Sequence, residues 1–541
     1  MTTIITNFFL FLLIIYGNGI FFSKKIFNDF ENQNFYEILL IGLVTTTLLS
    51  QFINFFLPLN DYLTVLNILI VILYLVVNKK IIRSLKVDYK IFLIFLILVL
   101  SNIYASDFSE DINHYHYAMI ANTDNLNFIW GYSFLHNMYG TSPIWLTAHS
   151  YFNFDSSRLQ DIHILNGLFL FIFFGLFFSE IQKKNQNHSV KKIILFSILL
   201  FVFIKFTRLK EFGIDRPAVL LFCTMLYFYL KFFFINNNKN ILGNFLKISL
   251  ISICIILIKI TYLPIIIFPI LILLKYKKEL VIFDKKYFLI LLASSIFILK
   301  NFLGTGCVIY PISYSCFDFI SWSNSKGAEE LAFLAEYFNK SWTSYEGSLS
   351  KSEYIKDFNW FKTWFIRGYK EILELFLTII LVFISSIFIF GLKKKKIFKY
   401  QEELSLLKKI LSSIVIISVF IYFIKNPVIR MNFHVLISIL TLLAINFLSL
   451  DSNNKRLSVI NIFLFLAIFF NLSKNFNRIN DEKFVNDPIE IISNKITVQN
   501  QNNLEDFIYY TGWYGKTPIS YKILENKMYK KKIIFNVISN K

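Results

Sequence analysis

The sequence is poor in charge for its length. Only 17% of its 541 residues are Asp, Glu, Lys or Arg, whereas soluble proteins average about 25%. Hydrophobic residues make up 56% of the chain. A soluble chain of this length divides into domains with polar surfaces, and this composition does not supply them. The shortage of charge therefore excludes ordinary soluble domains for almost the whole chain and favours a membrane protein.

Several functional signatures are also missing. The sequence has no glycine-rich phosphate loop and no paired-cysteine zinc motif, which argues against a cytoplasmic ATP-driven machine. It has no apolar run with the regular arginine spacing of a voltage sensor. The first apolar run lacks a basic leader and a small-residue cleavage site, so we expect a first span there rather than a cleaved signal peptide.

Solid apolar runs recur from end to end, and they predict an all-α fold, a polytopic membrane helix bundle of about 14 transmembrane helices. The count is uncertain by about two, because residues 241–274 fit two spans or one broken span. Strands would need an alternating pattern that these runs lack. The runs are Thr6–Phe22, Phe35–Leu57, Tyr62–Val77, Ile91–Tyr104, Ile162–Phe178, Ile193–Phe206, Ala218–Phe234, Ile241–Ile258, Tyr262–Leu274, Tyr287–Leu303, Ile372–Leu392, Leu406–Ile424, Phe433–Leu450 and Val459–Asn471.

The basic residues are arranged as a topology signal. The formal net charge is +20, but lysines cluster in alternate short loops, for example at 79–90 and 393–396. With these loops in the cytoplasm, both termini and every long polar segment lie outside. We expect a bundle over residues 1–471, including outer loops 105–161 and 304–370, and an outer-face C-terminal tail of mixed structure over 472–541. The partner implied by the basic excess is the lipid bilayer and not nucleic acid.

The four cysteines divide into two kinds. Cys223 and Cys254 lie in apolar runs, where a thiol behaves as a small hydrophobe. Cys307 and Cys316 flank a short polar stretch in the second outer loop, where the environment permits a disulfide. Two free thiols are the alternative.

The first outer loop is dense in groups that ionise or hydrogen-bond. Glu110 and Asp111 stand just beyond a predicted span and are followed by Tyr115 and His116. On a helix, Asp111 and Tyr115 share a face. A carboxylate at the membrane edge with an imidazole nearby suits a general base or a divalent cation site. A solvated charged face is the third interpretation, and these residues alone leave all three open.

This loop resembles the first outer loop of a family of bacterial membrane proteins. The family pattern is an Asp followed after three residues by Tyr-His, and then a Gly, Leu-His, Gly, Ser and Trp series. The counterparts here are Asp111, Tyr115-His116, Gly131, Leu135-His136, Gly140, Ser142 and Trp145. Those proteins in turn resemble the GT-C superfamily of polyprenyl-phosphate-sugar-dependent glycosyltransferases.

Four shorter stretches agree with the same family in the same order. They are Gly213–Ala218, Lys259–Pro264, Asn301–Pro311 with Trp322, and Pro427–Arg430. Arg216 departs from the pattern, because a smaller or uncharged residue is expected beside Asp215.

The resemblance implies a reaction and a role for each candidate residue. The reaction is transfer of a sugar from a polyprenyl-phosphate donor to an acceptor hydroxyl of a glycan or lipid, at the outer face of the bacterial cytoplasmic membrane. A divalent cation is left open as a cofactor, and no other is expected. The implied roles are catalysis by Asp111, Glu110 and His116, donor-phosphate binding by Lys259 and Arg430, and substrate binding by Tyr115, His136 and Asp215.

Two other classes of protein remain open. A transporter or lipid flippase also has many spans, but internal repeats with matched broken helices, typical of transporters, are not visible. A surface-polysaccharide polymerase or ligase would place its essential basic residues in a later outer loop, without an acid cluster in the first. Only the glycosyltransferase requires Asp111, His116, Lys259 and Arg430 to converge on one outward-facing cavity.

The lysine asymmetry predicts that a cysteine introduced at Ser84 stays unlabelled by a membrane-impermeant thiol reagent in intact cells, since residues 79–90 then face the cytoplasm. A cysteine at Ser348, in the second outer loop, is the control and should react. Labelling of the Ser84→Cys variant in intact cells would contradict this membrane topology.

Overall fold

The protein is mostly helical, and its helices lie in the apolar runs. The structure is a computed structural model that describes residues 2–79, 87–106, 115–153, 163–183, 189–209, 213–235, 240–280, 284–342, 345, 347–392, 401–428, 432–448, 455–480, 527–531 and 536–540. The first nine helices are α1 (Thr2–Lys25), α2 (Phe35–Asn54), α3 (Asp61–Val77), α4 (Tyr89–Tyr104), α5 (Tyr117–Asn125), α6 (Ile144–Tyr151), α7 (Ile164–Gln182), α8 (Ser189–Lys205) and α9 (Asp215–Ile235). The others are α10 (Ile241–Ile258), α11 (Ile267–Lys275), α12 (Tyr287–Thr305), α13 (Ser325–Ser341), α14 (Lys351–Tyr354), α15 (Phe361–Phe390), α16 (Gln401–Lys425), α17 (Phe433–Phe447) and α18 (Lys455–Ile479).

Nine helices in the described part of the chain are long and apolar enough to cross a membrane. They are α1, α2, α7, α9, α10, α12, α15, α16 and α18. Helices α3, α4 and α17 are apolar but shorter, as is α11 together with the turn before it. The structure therefore supports a helical protein of membrane-type composition, and the number of fourteen crossings stays a prediction.

Four of the long helices form the centre of the bundle. The most apolar stretches of α2, α7, α9 and α10 are 83–89% buried, whereas those of α12, α15, α16 and α18 are only 33–39% buried. The outer helices consequently expose large apolar side chains such as Phe388 and Phe465. A water-facing surface rarely carries such continuous apolar area, whereas lipid-facing helices do.

The helix ends separate into two groups, which we call the loop end and the lysine end. At the loop end, the Tyr310 hydroxyl donates to the carbonyl oxygen of Asn137 at 2.8 Å, so the two long segments 115–153 and 304–342 meet. The lysine end is defined by the ion pairs Lys231–Glu37, Lys191–Glu180 and Lys247–Asp29. The lysine pattern assigns these same two groups to opposite faces of the membrane.

Buried carboxylates hold the lysine end together, each paired with a lysine from another segment. Lys231 Nζ donates to both oxygens of Glu37 at 2.7 Å, which joins α9 to α2, and Tyr227 donates to the same carboxylate. Lys191 Nζ donates to Glu180 at 2.7 Å and joins α8 to α7. Neither carboxylate has appreciable contact with solvent. A buried charge that loses its partner is costly, so these pairs fix how the helices meet.

A small sheet joins the tail to the loop end. Strand β1 (Ile129–Trp130) pairs in parallel with β3 (Asn536–Asn540), and β3 pairs antiparallel with β2 (Lys527–Lys531). The C-terminal strands thus dock on the first outer segment. Helix α18 continues past the boundary expected at residue 472 and ends at Ile479.

Cys307 and Cys316 are joined by a disulfide, with their Cα atoms 3.7 Å apart. The two residues also pair as an antiparallel bridge, so the chain between them forms a closed turn directly after α12. Cys223 and Cys254 are free and buried in α9 and α10.

We expect Glu37→Gln to destabilise the fold by about 3–5 kcal/mol, because Lys231 then stays buried without a carboxylate. The measurement is thermal unfolding of the purified protein in detergent. Glu402→Gln, at an exposed site on α16, should change the stability by less than about 0.5 kcal/mol. The double variant Glu37→Gln/Lys231→Met should recover part of the loss. Equal stability of Glu37→Gln and wild type would show that the pair does not hold the helices.

Candidate active site

The apolar run over residues 241–274 is interrupted at Lys259. Helix α10 ends at Ile258, and Lys259 has extended backbone with φ −150° and ψ 109°. A 3₁₀ turn, Ile260–Ile266, then leads into α11 and contains Pro264, which has no N–H for a regular helix. The interruption places a lysine at the loop end, with only 9% of its surface exposed.

Lys259 is paired with Asp215. Its Nζ donates to the Asp215 carboxylate, which lies at the first residue of α9. The first turn of a helix favours negative charge, so Asp215 is stabilised there even before it meets the lysine. The Asp215 side chain is 30% exposed while that of Lys259 is 9% exposed. The pair therefore opens towards solvent on its acidic side and is covered on its basic side.

His116 approaches this pair from the first outer segment. It directly precedes α5, is almost fully buried and interacts electrostatically with Asp215. The Tyr115 ring lies edge-on to it, with the ring centroids 4.3 Å apart. Burial lowers the pKa of His116 to about 4, although Asp215 acts in the opposite direction. The imidazole is consequently neutral at pH 7 and can accept a proton or a hydrogen bond.

His434 approaches the pair through α17. It interacts electrostatically with Lys259 and is fully buried. Its Nε2 lies 3.0 Å from Ser418 Oγ on α16, and its ring stacks obliquely on Tyr262 with centroids 4.3 Å apart. These contacts tie α16, α17 and the turn after Lys259 into one wall of the site.

Two more buried histidines lie behind His116. His149 on α6 interacts electrostatically with His116 and with His163, which directly precedes α7. Burial lowers the pKa of His149. Trp145 packs against His149 and donates from its Nε1 to Asn166 at 2.8 Å. Neutral imidazoles thus extend from the Asp215 side into the core.

An apolar cavity of about 190 Å³ lies beside His434, between the loop ends of α15, α16 and α17. Its walls include Trp364, Val419, Val435 and Leu436, together with Ser418, the hydroxyl that contacts His434. A cavity with this lining suits hydrocarbon better than a hydroxylated ligand.

Of the site residues predicted from the sequence, the structure brings together four: His116, Tyr115, Asp215 and Lys259. Asp111, Glu110 and Arg430 lie outside the described residues. His136 has a local contact instead: its Nδ1 accepts from Met138 N at 3.2 Å and begins the 3₁₀ helix Asn137–Thr141. Within the described ranges, no three His, Cys, Asp or Glu side chains stand close enough to hold a metal ion.

Sequence reasoning missed His434, His149 and His163. The signal that was available is scarcity, because four of only seven histidines are buried at the loop end. Thr261 lies two residues after Lys259, and its buried Oγ1 has no hydrogen-bond partner in the part of the chain that the structure describes. A buried hydroxyl without a protein partner keeps its hydrogen-bonding capacity for water or a ligand.

One family profile, described as Domain of unknown function (DUF8201), matches residues 1–437. The chain belongs to the DUF8201 family. No curated protein and no solved structure matches it. The matched region of this DUF8201 protein contains His116, Asp215, Lys259 and His434, so all four segments of the site belong to the family region.

The buried histidines predict loss of stability in acid. The pKa of His116 is about 4 in the folded protein and 6.5 when exposed, so the unfolded chain takes up the proton first as the pH falls. The stabilisation is complete above pH 6.5 and is lost as the pH falls towards 4, on the order of 3 kcal/mol for this residue. Thermal unfolding between pH 7.5 and pH 4.5 measures it. His116→Gln should flatten the pH dependence, and an identical dependence in wild type and variant would contradict the prediction.

Proposed function

We propose that this DUF8201 protein is a membrane glycosyltransferase of GT-C type. It would transfer a sugar from a polyprenyl-phosphate donor to an acceptor hydroxyl at the outer face of the bacterial cytoplasmic membrane, with the loop end facing outwards. The observation that carries the proposal is the convergence of four distant segments on the Lys259–Asp215 pair. The segments at the starts of α5, α9 and α17 carry His116, Asp215 and His434. The fourth segment follows α10 and carries Lys259.

The chemistry requires a base for the acceptor and a cation for the leaving group. The acceptor hydroxyl loses its proton to the base, and its oxygen forms a bond to the anomeric carbon. The bond from that carbon to the phosphate oxygen breaks, and the electron pair stays on the phosphate. Negative charge thus grows on the phosphate in the transition state, where a preorganised ammonium or guanidinium lowers its energy.

Lys259 is the proposed ligand of that phosphate. An ammonium has three N–H donors, and the Asp215 carboxylate accepts from one of them. In the proposal, the remaining donors bind a phosphate oxygen once the donor displaces the groups that cover the lysine, while Asp215 keeps the side chain at the helix break. Asp215 is then a positioning residue rather than a direct substrate contact. The Thr261 hydroxyl offers a further donor two residues along the chain. Arg430, four residues before His434, is the second proposed phosphate ligand.

The neighbouring apolar cavity is the proposed site for the first isoprene units of such a donor. Its apolar walls lie next to His434, which interacts with Lys259. A polyprenyl chain that enters between the loop ends of α15, α16 and α17 would put hydrocarbon on apolar side chains and its phosphate near the lysine. The neutral His116 lies on the Asp215 side, where it can assist Asp111, the proposed base, with the acceptor proton.

We expect Lys259→Met to lower kcat/KM by about a hundredfold or more, because the leaving phosphate loses its cation in the ground state and in the transition state. The assay is sugar transfer by the purified protein in lipid nanodiscs, with a panel of polyprenyl-phosphate sugars as donors. Lys425→Met is the matched control, since Lys425 is an exposed lysine at the same end of the bundle, paired with Glu336. It should act like wild type. Equal activity of the two variants would contradict the role of Lys259.

The base is tested by Asp111→Asn, which should reduce turnover by about a hundredfold while donor binding is kept. Asp107 and Glu110, which precede Asp111 in the same outer loop, are the competing carboxylates. If Glu110→Gln abolishes transfer while Asp111→Asn stays active, Glu110 and not Asp111 is the base. If Asp111→Asn, Glu110→Gln and Asp107→Asn all stay fully active, the glycosyltransferase proposal fails.

A further inference from the structure

The segment after α12 exposes apolar side chains although it has left the helix bundle. Phe319 is 86% exposed, and Phe317 and Ile312 are exposed to 37% and 49%. These residues follow or lie within the turn closed by the Cys307–Cys316 disulfide. Residues 304–323 contain a single charged side chain, Asp318. Large exposed aromatic groups with so little charge around them are uncommon on a water-facing surface.

The exposed aromatic residues continue the outer surface of α12. That helix exposes Phe288, Leu291, Ile298 and Leu299, which recur at helical spacing and form one apolar face. One turn further along that face, the Phe302 ring lies 5.9 Å from the Phe317 ring. Phe317 in turn lies 5.7 Å from Phe319. The apolar face of α12 thus runs without interruption into the segment beyond the helix.

Two tryptophans mark the level at which the helix ends. The Trp322 ring contacts Trp130 at 5.1 Å, and its Nε1 donates to the carbonyl of Phe302 at 3.2 Å. Tryptophan is enriched where the hydrocarbon of a bilayer meets the head groups, because its ring is apolar and its N–H is polar. The Phe302 ring lies 6.2 Å from Trp322 and also contacts Phe317, so the exposed phenylalanines are connected to this pair through the end of α12.

We propose that Phe317 and Phe319 insert into the bilayer leaflet around α12 and anchor the loop end to the lipid surface. The occupant is the membrane itself, because the apolar surface is continuous with a helix face that lipid would cover. The disulfide-closed turn leads directly into these residues and restricts where they can point. The anchor would fix the depth of the loop end in the membrane, and it does not depend on glycosyl transfer.

The test measures contact with lipid directly. Phe319→Cys is labelled with an environment-sensitive fluorophore and placed in nanodiscs whose lipids carry a nitroxide quencher near the head group. The native thiols allow this, since Cys223 and Cys254 are buried and the other two form the disulfide. Leu291→Cys, on the exposed face of α12, is the reference for lipid contact. Ser348→Cys, exposed in the second outer segment, is the reference for water.

We expect the label at residue 319 to be quenched several-fold more than the label at residue 348, and to a degree close to that at residue 291. Quenching at 319 equal to that at 348 would overturn the anchor. A label at 319 that is shielded from water yet not quenched by lipid would also overturn it, because another part of the chain or another protein would then cover the aromatic residues. Quenching at 291 alone would leave the membrane assignment of α12 intact and refute only the anchor.

Discussion

A buried lysine at an interrupted helix needs a carboxylate, and that need organises the loop end. Lys259 has left α10 but remains covered, so its charge has to be met inside the protein. Asp215 meets it from the first turn of α9. The pairing requires the start of one helix to lie against the end of the next, and the segments that carry His116 and His434 pack around the same point.

The two ends of the bundle use the same interaction for different purposes. At the lysine end, Glu37 accepts two hydrogen bonds from Lys231 and one from Tyr227, and the carboxylate is closed off from solvent. Such a group has a structural role. At the loop end the pair is partly open, and an apolar cavity lies nearby. This contrast is the reason to propose a binding site at the loop end and a structural role for the pairs at the lysine end.

Much of the helical fold could be predicted, because unbroken apolar runs lack the alternating pattern of membrane strands and therefore indicate helices. Lys259 was identifiable for the same reason, as a charge between two such runs. Its partner was not, because Asp215 lies far away in sequence and only packing brings them together. His434 was hidden inside a predicted span, where a lone histidine carries no periodic signal. The pairing of β1 with β3 depends on a segment some four hundred residues away, which no local pattern reports.

The proposed chemistry depends on the location of the binding site for the donor phosphate. A cryo-electron microscopy structure of the protein in nanodiscs, with a non-transferable polyprenyl-phosphonate sugar, would locate it. The account predicts the phosphonate in contact with Lys259 Nζ and the prenyl chain in the cavity lined by Trp364, Val435 and Leu436. A phosphonate bound elsewhere, with the Lys259–Asp215 pair closed and the cavity empty, would contradict it.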